Sequence, residues 1–115
     1  MQQASTLDLT FRALADGTRR SMIRALAGGN SRSAGELGRQ FRSAQPTISR
    51  HLKVLEAAGL ISRGREAQWR PCRLEAGPLK DLDGWLGHYR RFWEGSFDRL
   101  DAHLKRNPQP PKDKP

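Results

Sequence analysis

The chain has 115 residues, a formal charge of +9 and an isoelectric point near 11.0, which suits one domain whose modest core would gain from a partner subunit. Sixteen arginines against five lysines carry the charge, and the guanidinium fork is suited to bidentate binding of phosphate or guanine. One cysteine, Cys72, excludes an intramolecular disulfide and a Cys-rich zinc site, and no apolar run has signal-peptide or membrane-span length, so a soluble cytoplasmic protein is expected.

Ser5 is placed to cap a first helix carrying Leu7, Leu9, Phe11 and Leu14. Asp16 is placed to cap a second, "GTRRSMIRALAGG", with Met22, Ile23 and Leu26 inward and Gly28 and Gly29 as its stop. Ser33 precedes "AGELGRQF", where Leu37 and Phe41 are i, i+4 partners. Ser43 is expected to cap a fourth helix, on which Ile48, Leu52 and Leu55 share one face at i, i+4 and i+7. Pro46 sits in its first turn, where no N–H is needed, and Gly59 closes it. "LISRG" and "QWRPCRL" flank a polar "REA" turn and read as a hairpin. "GPLKDLDGWLGHYRRFWEGSFDRLDAHLKR" reads as one long last helix.

The fold class is therefore mainly α, in the order of a winged helix-turn-helix: helices plus a β-hairpin wing, with N- and C-terminal helices available for dimerisation. One domain spans residues 1–106. Residues 107–115 belong to the stretch "KRNPQPPKDKP", which has four prolines and nothing large and apolar to bury, and are expected to be a disordered tail.

The short link between the third and fourth helices has helix-turn-helix spacing, with the second of the pair as the reader. Its front is free of core duty. Gln45, Thr47, Ser49 and Arg50 are candidates for reading base edges. Ser43, Lys53, Arg63 and Arg65 are candidates for holding phosphates or reaching the minor groove. The bland alternative is a capped surface helix with a solvated charged face.

"PTISRHLKVLEAAGLISRGREAQWRPCRL" resembles the recognition helix and wing of the ArsR (arsenic-repressor-like) family of bacterial transcriptional regulators, and "FRALADGTRRSMIRAL" resembles that family's second-helix signature. The likeness runs from about Leu7 to Leu104 in the same element order. It implies a homodimeric repressor that binds an inverted repeat of double-stranded DNA near its own promoter; whether a small-molecule inducer acts on it, and which, the sequence leaves open. Ser43, Gln45, Thr47, Ser49 and Arg50 match the family's DNA-facing positions, and Arg63 and Arg65 its wing. The chain departs from the pattern twice. "ELGRQF" lacks the Cys-x-Cys of the family's metal sensors. Glu66-Ala67 stands where the wing turn often has Glu-Gly, and alanine resists positive φ.

No metal site or cofactor is expected. His88 and His103 are fifteen residues apart on one helix, roughly 22 Å at 1.5 Å per residue, and Asp101 and His103 diverge. Cys72 is expected to be buried and inert, and His51 to be a hydrogen-bonded structural histidine. No Ser-His-Asp order, paired carboxylate constellation or Gly-rich phosphate loop points to an enzyme. Trp69, Trp85, Trp93, Tyr89, Phe92 and Phe97 fit dimer core better than a ligand cavity. Leu7, Phe11 and Leu14, together with Leu79, Leu82, Leu86, Tyr89, Trp93, Leu100 and Leu104 at helical spacing, are the expected dimer interface, the family placing its first and last helices there. The alternative function is a winged-helix module whose aromatic last helix binds another protein.

Overall fold

The computed structural model describes residues 5–65 and 70–106, and of residues 96–98 the backbone alone. Among them run α1 (Thr6–Leu14), α2 (Gly17–Leu26), a 3-10 turn (Ala27–Gly29), α3 (Ala34–Phe41), α4 (Gln45–Ala57), β1 (Ile61–Arg63), β2 (Cys72–Leu74) and α5 (Gly77–Arg106). This is the expected winged helix-turn-helix order. The expected tail, the Glu66-Ala67 turn and Trp69 lie outside the described residues, as does the side chain of Phe97.

The chain divides into two units, Met1–Leu82 and Asp83–Pro115. In the first, three helix starts are closed by side chains. Ser5 Oγ accepts from the Asp8 amide at 3.0 Å, and Asp16 Oδ2 from the Arg19 amide at 3.0 Å. Ser33 and Glu36 form a reciprocal capping box, with bonds of 3.1 and 3.0 Å. After α2, Gly28 and Gly29 take φ of 81° and 84°, a region that side chains resist.

The core gathers Ala13 from α1, Met22, Ile23 and Leu26 from α2, Leu37 from α3, Ile48, Leu52 and Leu55 from α4, and Leu60, Ile61 and Cys72 from the hairpin and its root. Burying each large aliphatic side chain contributes about 1.5–3 kcal/mol, so truncating Leu52 or Leu55 would cost about 2–5 kcal/mol. Thr10 is buried among them, its hydroxyl donating to the Thr6 carbonyl at 2.9 Å. Among the described residues no buried side-chain nitrogen or oxygen lacks a partner.

Two closures orient the hairpin. Gly59, at φ 73°, donates to the Glu56 carbonyl at 2.9 Å, and the Leu60 amide donates to the Leu55 carbonyl at 3.0 Å. These paired bonds end α4 and turn the chain into β1. The strands then pair antiparallel, Ile61 with Leu74 and Arg63 with Cys72. Arg32, ahead of α3, exchanges backbone bonds of 3.1 and 2.8 Å with Cys72, which fastens the hairpin to the α2–α3 loop.

Among the described residues the second unit is the remainder of α5. Asp83 accepts from Arg90 at 2.6 Å, and Lys105 pairs with Asp101 at 3.0 Å. The rings of Trp85 and Tyr89 pack tilted, 5.1 Å between centroids. Tyr89, Trp93, Leu100 and Leu104 are exposed, and so is Phe92, at 64%. Among the described residues no helix is long and apolar enough to cross a membrane.

Candidate nucleic-acid interface

The candidate surface is built on the buried face of α4. Ile48, Leu52 and Leu55 are at most 2% exposed, so the helix cannot rotate about its axis without exposing aliphatic surface. The other faces are thereby fixed outward. Gln45, Ser49, Arg50 and Lys53 are exposed, and Thr47 is half-buried. Arg50 Nη2 donates to Thr47 Oγ1 at 3.4 Å, a weak tether that leaves most of the guanidinium free. From Leu37 to Leu55 the sequence has no Asp or Glu, while Arg39, Arg42, Arg50 and Lys53 stand within it. The first three turns of the helix thus offer hydroxyl, amide and cationic groups with no carboxylate among them, and Glu56 follows in its last turn.

The turn before α4 corrects one expectation. Ser43 does not cap the helix. Ala44 is the N-cap, with no side-chain bond to the first turn. The cause is the way α3 ends. Arg42 takes the left-handed conformation, φ 51° and ψ 43°, and the Ser43 amide donates back to the Gly38 carbonyl at 3.0 Å. This is the αL closure usually given to glycine. It swings the Ser43 hydroxyl onto the Phe41 carbonyl, 3.3 Å away. The amino end of α4 is left without a capping side chain, and a helix start in that state attracts anions.

Gln45 and Arg63 are also engaged within the fold. Gln45 Nε2 donates to the Ala34 carbonyl of α3 at 3.3 Å, and its amide lies where a methyl on Gly38 would fall. Gln45 retains its Oε1 and one amide hydrogen for other partners. Arg63 bends across the hairpin, its Nε and Nη2 each 3.4 Å from the Arg70 carbonyl. Arg65 is exposed beyond it. Arg42 escaped the sequence reading: it is an exposed cation in the turn itself, held at positive φ where side chains are strained. The missing signal was the glycine that normally marks this conformation.

His51 follows Arg50 and is half-buried. Its Nδ1 lies 3.4 Å from Arg19 Nη1, as a structural histidine should. Cys72 is fully buried, and burial pushes its thiol above the usual value despite the opposing pull of Arg63. Asp16 is held below the usual carboxylate range, chiefly by the Arg19 amide.

A helix pair joined by a tight turn, a second helix with a polar cationic outer face, and a hairpin fastened behind it define a winged helix-turn-helix protein of the DNA-binding regulator class. Residues 14–63 match a family model described as a helix-turn-helix domain. The chain is 36% identical over 76 residues to the transcriptional repressor SdpR of Bacillus subtilis, covering 66% of this chain and 83% of that protein. It is 46% identical over 86 residues to the HTH-type transcriptional regulator Rv2034 of Mycobacterium tuberculosis, covering 75% and 77%. The crystal structure of an ArsR family transcriptional regulator superposes with a TM-score of 0.70 at 32% identity, over 78% of this chain and 98% of the other. The protein belongs to the ArsR family of winged-helix transcriptional regulators.

Proposed function

We propose that the protein is a homodimeric repressor that binds an inverted repeat near its own promoter. The observation that carries this reading is α4. Three buried aliphatics lock it, and the face they leave outward holds Thr47, Ser49, Arg50 and Lys53 with no carboxylate between residues 37 and 55. Gln45, Thr47, Ser49 and Arg50 are assigned to base edges. Ser43, Lys53, Arg63 and Arg65 are assigned to phosphates or the minor groove, and Arg42 joins them. SdpR is a transcriptional repressor, and the likeness to that protein supports repression here.

Two apolar surfaces support the dimer. Phe11 on α1 is 42% exposed, and α5 leaves Tyr89, Trp93, Leu100 and Leu104 open. Exposed aromatics on this scale invite association, and a symmetric copy would cover them with the same residues. A second reading draws on the same exposed aromatics: α5 captures a different protein. The domain assignment, residues 1–106 as one functional body, belongs to the proposal as well.

The experiment is a gel shift and footprint on the DNA upstream of the protein's own gene, run beside sedimentation of the free protein. A protected inverted repeat and a dimer are expected. A monomer that ignores this DNA but binds another protein through α5 would establish the second reading.

A further inference from the structure

A cleft of about 560 Å³ opens between α2 and the end of α3, lined by Gly17, Thr18, Arg20, Ser21, Arg24 and Phe41. Gly17, Arg20, Ser21 and Arg24 recur at i, i+3, i+4 and i+7, so they share one face of α2. The lining holds two guanidiniums and two hydroxyls and no carboxylate. Arg20 and Arg24 are four residues apart, a like-charge pair that a helix tolerates poorly without a counter-ion. Arg20 is anchored, its Nη1 donating to the Leu14 carbonyl at 2.6 Å. The guanidinium of Arg24 has no hydrogen bond or ion pair among the described residues, and it is exposed. Phe41 closes one side, and the residue after it is Arg42, in the turn that leads to α4. The cleft therefore borders the proposed reading surface but belongs to a different helix.

We propose that this cleft is a phosphate site that takes a phosphodiester of the DNA backbone running past the amino end of α4. Arg24 supplies the free charge, Arg20 a second charge fixed in place, and Thr18 and Ser21 the hydroxyl donors. A tetrahedral anion suits this set, because each oxygen can accept from a separate donor. The inference rests on the DNA-binding reading above and extends the contact surface from α4 to α2. A free phosphorylated molecule has the same chemistry, and the test separates the two sources.

The test compares full-length wild type with Arg24→Ala, Arg24→Lys and Lys105→Ala. Affinity is measured against salt concentration on the operator and on unrelated DNA of equal length, and inorganic pyrophosphate is titrated into each protein without DNA. Each phosphate contact contributes about 0.9 to the slope of log affinity against log salt. Arg24→Ala should lower the slope by about 1 per subunit and weaken both DNAs alike, roughly three- to tenfold. Arg24→Lys should keep most of the slope, and Lys105→Ala should keep all of it. Melting temperatures matched to wild type establish that the variants are folded. An unchanged slope in Arg24→Ala overturns the proposal. If pyrophosphate binding is lost in that variant while the slope holds, the cleft serves a free anion and not DNA. Wild type that binds no DNA at all defeats the functional reading itself, which is a different result.

Discussion

The guanidinium of Arg19, in the first turn of α2, reaches Nδ1 of His51, in the middle of α4, at 3.4 Å. Its Nε and Nη2 donate to the carbonyls of Ala13 and Arg12 at 2.6 and 3.0 Å. One side chain thus closes the carboxyl end of α1 and touches the helix that carries Arg50. A guanidinium cannot accept a hydrogen bond, so this contact requires the tautomer in which Nδ1 is the acceptor. Arg19→Ala leaves two carbonyls without these donors and should lower stability by about 1–3 kcal/mol. Arg19→Lys should not restore it, because an ammonium cannot span three acceptors in a plane. Urea denaturation measures the loss, and nitrogen NMR of His51 reads the tautomer. Wild-type stability in Arg19→Ala would remove Arg19 from this role.

Gly38 and Gln45 are interlocked in a second way. A methyl at Gly38 would fall on the Gln45 amide, which bonds to the Ala34 carbonyl. Alanine gains about 1 kcal/mol over glycine in a helix interior, and displacing that one bond costs about 0.5–1.5 kcal/mol. Gly38→Ala should therefore change stability by under about 1 kcal/mol while it alters DNA affinity through the released Gln45. In a Gln45→Ala background the same substitution should be plainly stabilising. A double-mutant cycle by denaturation and DNA titration tests this; additivity of the two changes would show that the pair is uncoupled.

Much of this was legible in the sequence. Ile48, Leu52 and Leu55 at helical spacing, Ser33 ahead of Leu37 and Phe41, and Gly59 after the apolar face marked α4, the start of α3 and the turn into the hairpin. Each is a local signal, and structure within one element follows local signals. What escaped depends on geometry between elements. Arg42 takes a conformation that glycine usually announces, so the cap moved from Ser43 to Ala44. Gln45 folds back eleven residues and Arg19 reaches thirty-two residues ahead, and no periodicity records such contacts.

Cys72 gives a prediction in pH. Burial raises its thiol above the ordinary value of a free thiol. The folded state favours the neutral form, so the stability linked to it is complete below the ordinary value and is lost as pH rises through the folded one. At pH 8 Ellman's reagent should react slowly with native protein and rapidly once urea unfolds it. Immediate labelling of the native protein would contradict this burial.

The proposed dimer predicts that Trp93→Asp, which puts a carboxylate on an apolar stripe of α5, yields monomer or aggregate. Operator binding should fall sharply with it, because half-sites about 34 Å apart require two linked reading helices. Sedimentation and gel shift on the same samples test both parts. A wild-type monomer that binds an inverted repeat tightly would refute the dimer.

The outer face of α4 is assigned to reading DNA sequence, and Arg50→Ala tests this assignment most directly. Arg50 is exposed and tethered only to Thr47 Oγ1, at 3.4 Å, among the described residues. A bidentate base contact from it would be worth about 1–3 kcal/mol of discrimination. The measurement is the ratio of affinities for operator and scrambled DNA, at one salt concentration, in wild type and variant. The ratio should fall roughly 5- to 150-fold, with binding to scrambled DNA little changed. Equal losses on both DNAs, with the ratio preserved, would show that Arg50 only holds phosphate and that the sequence is read elsewhere.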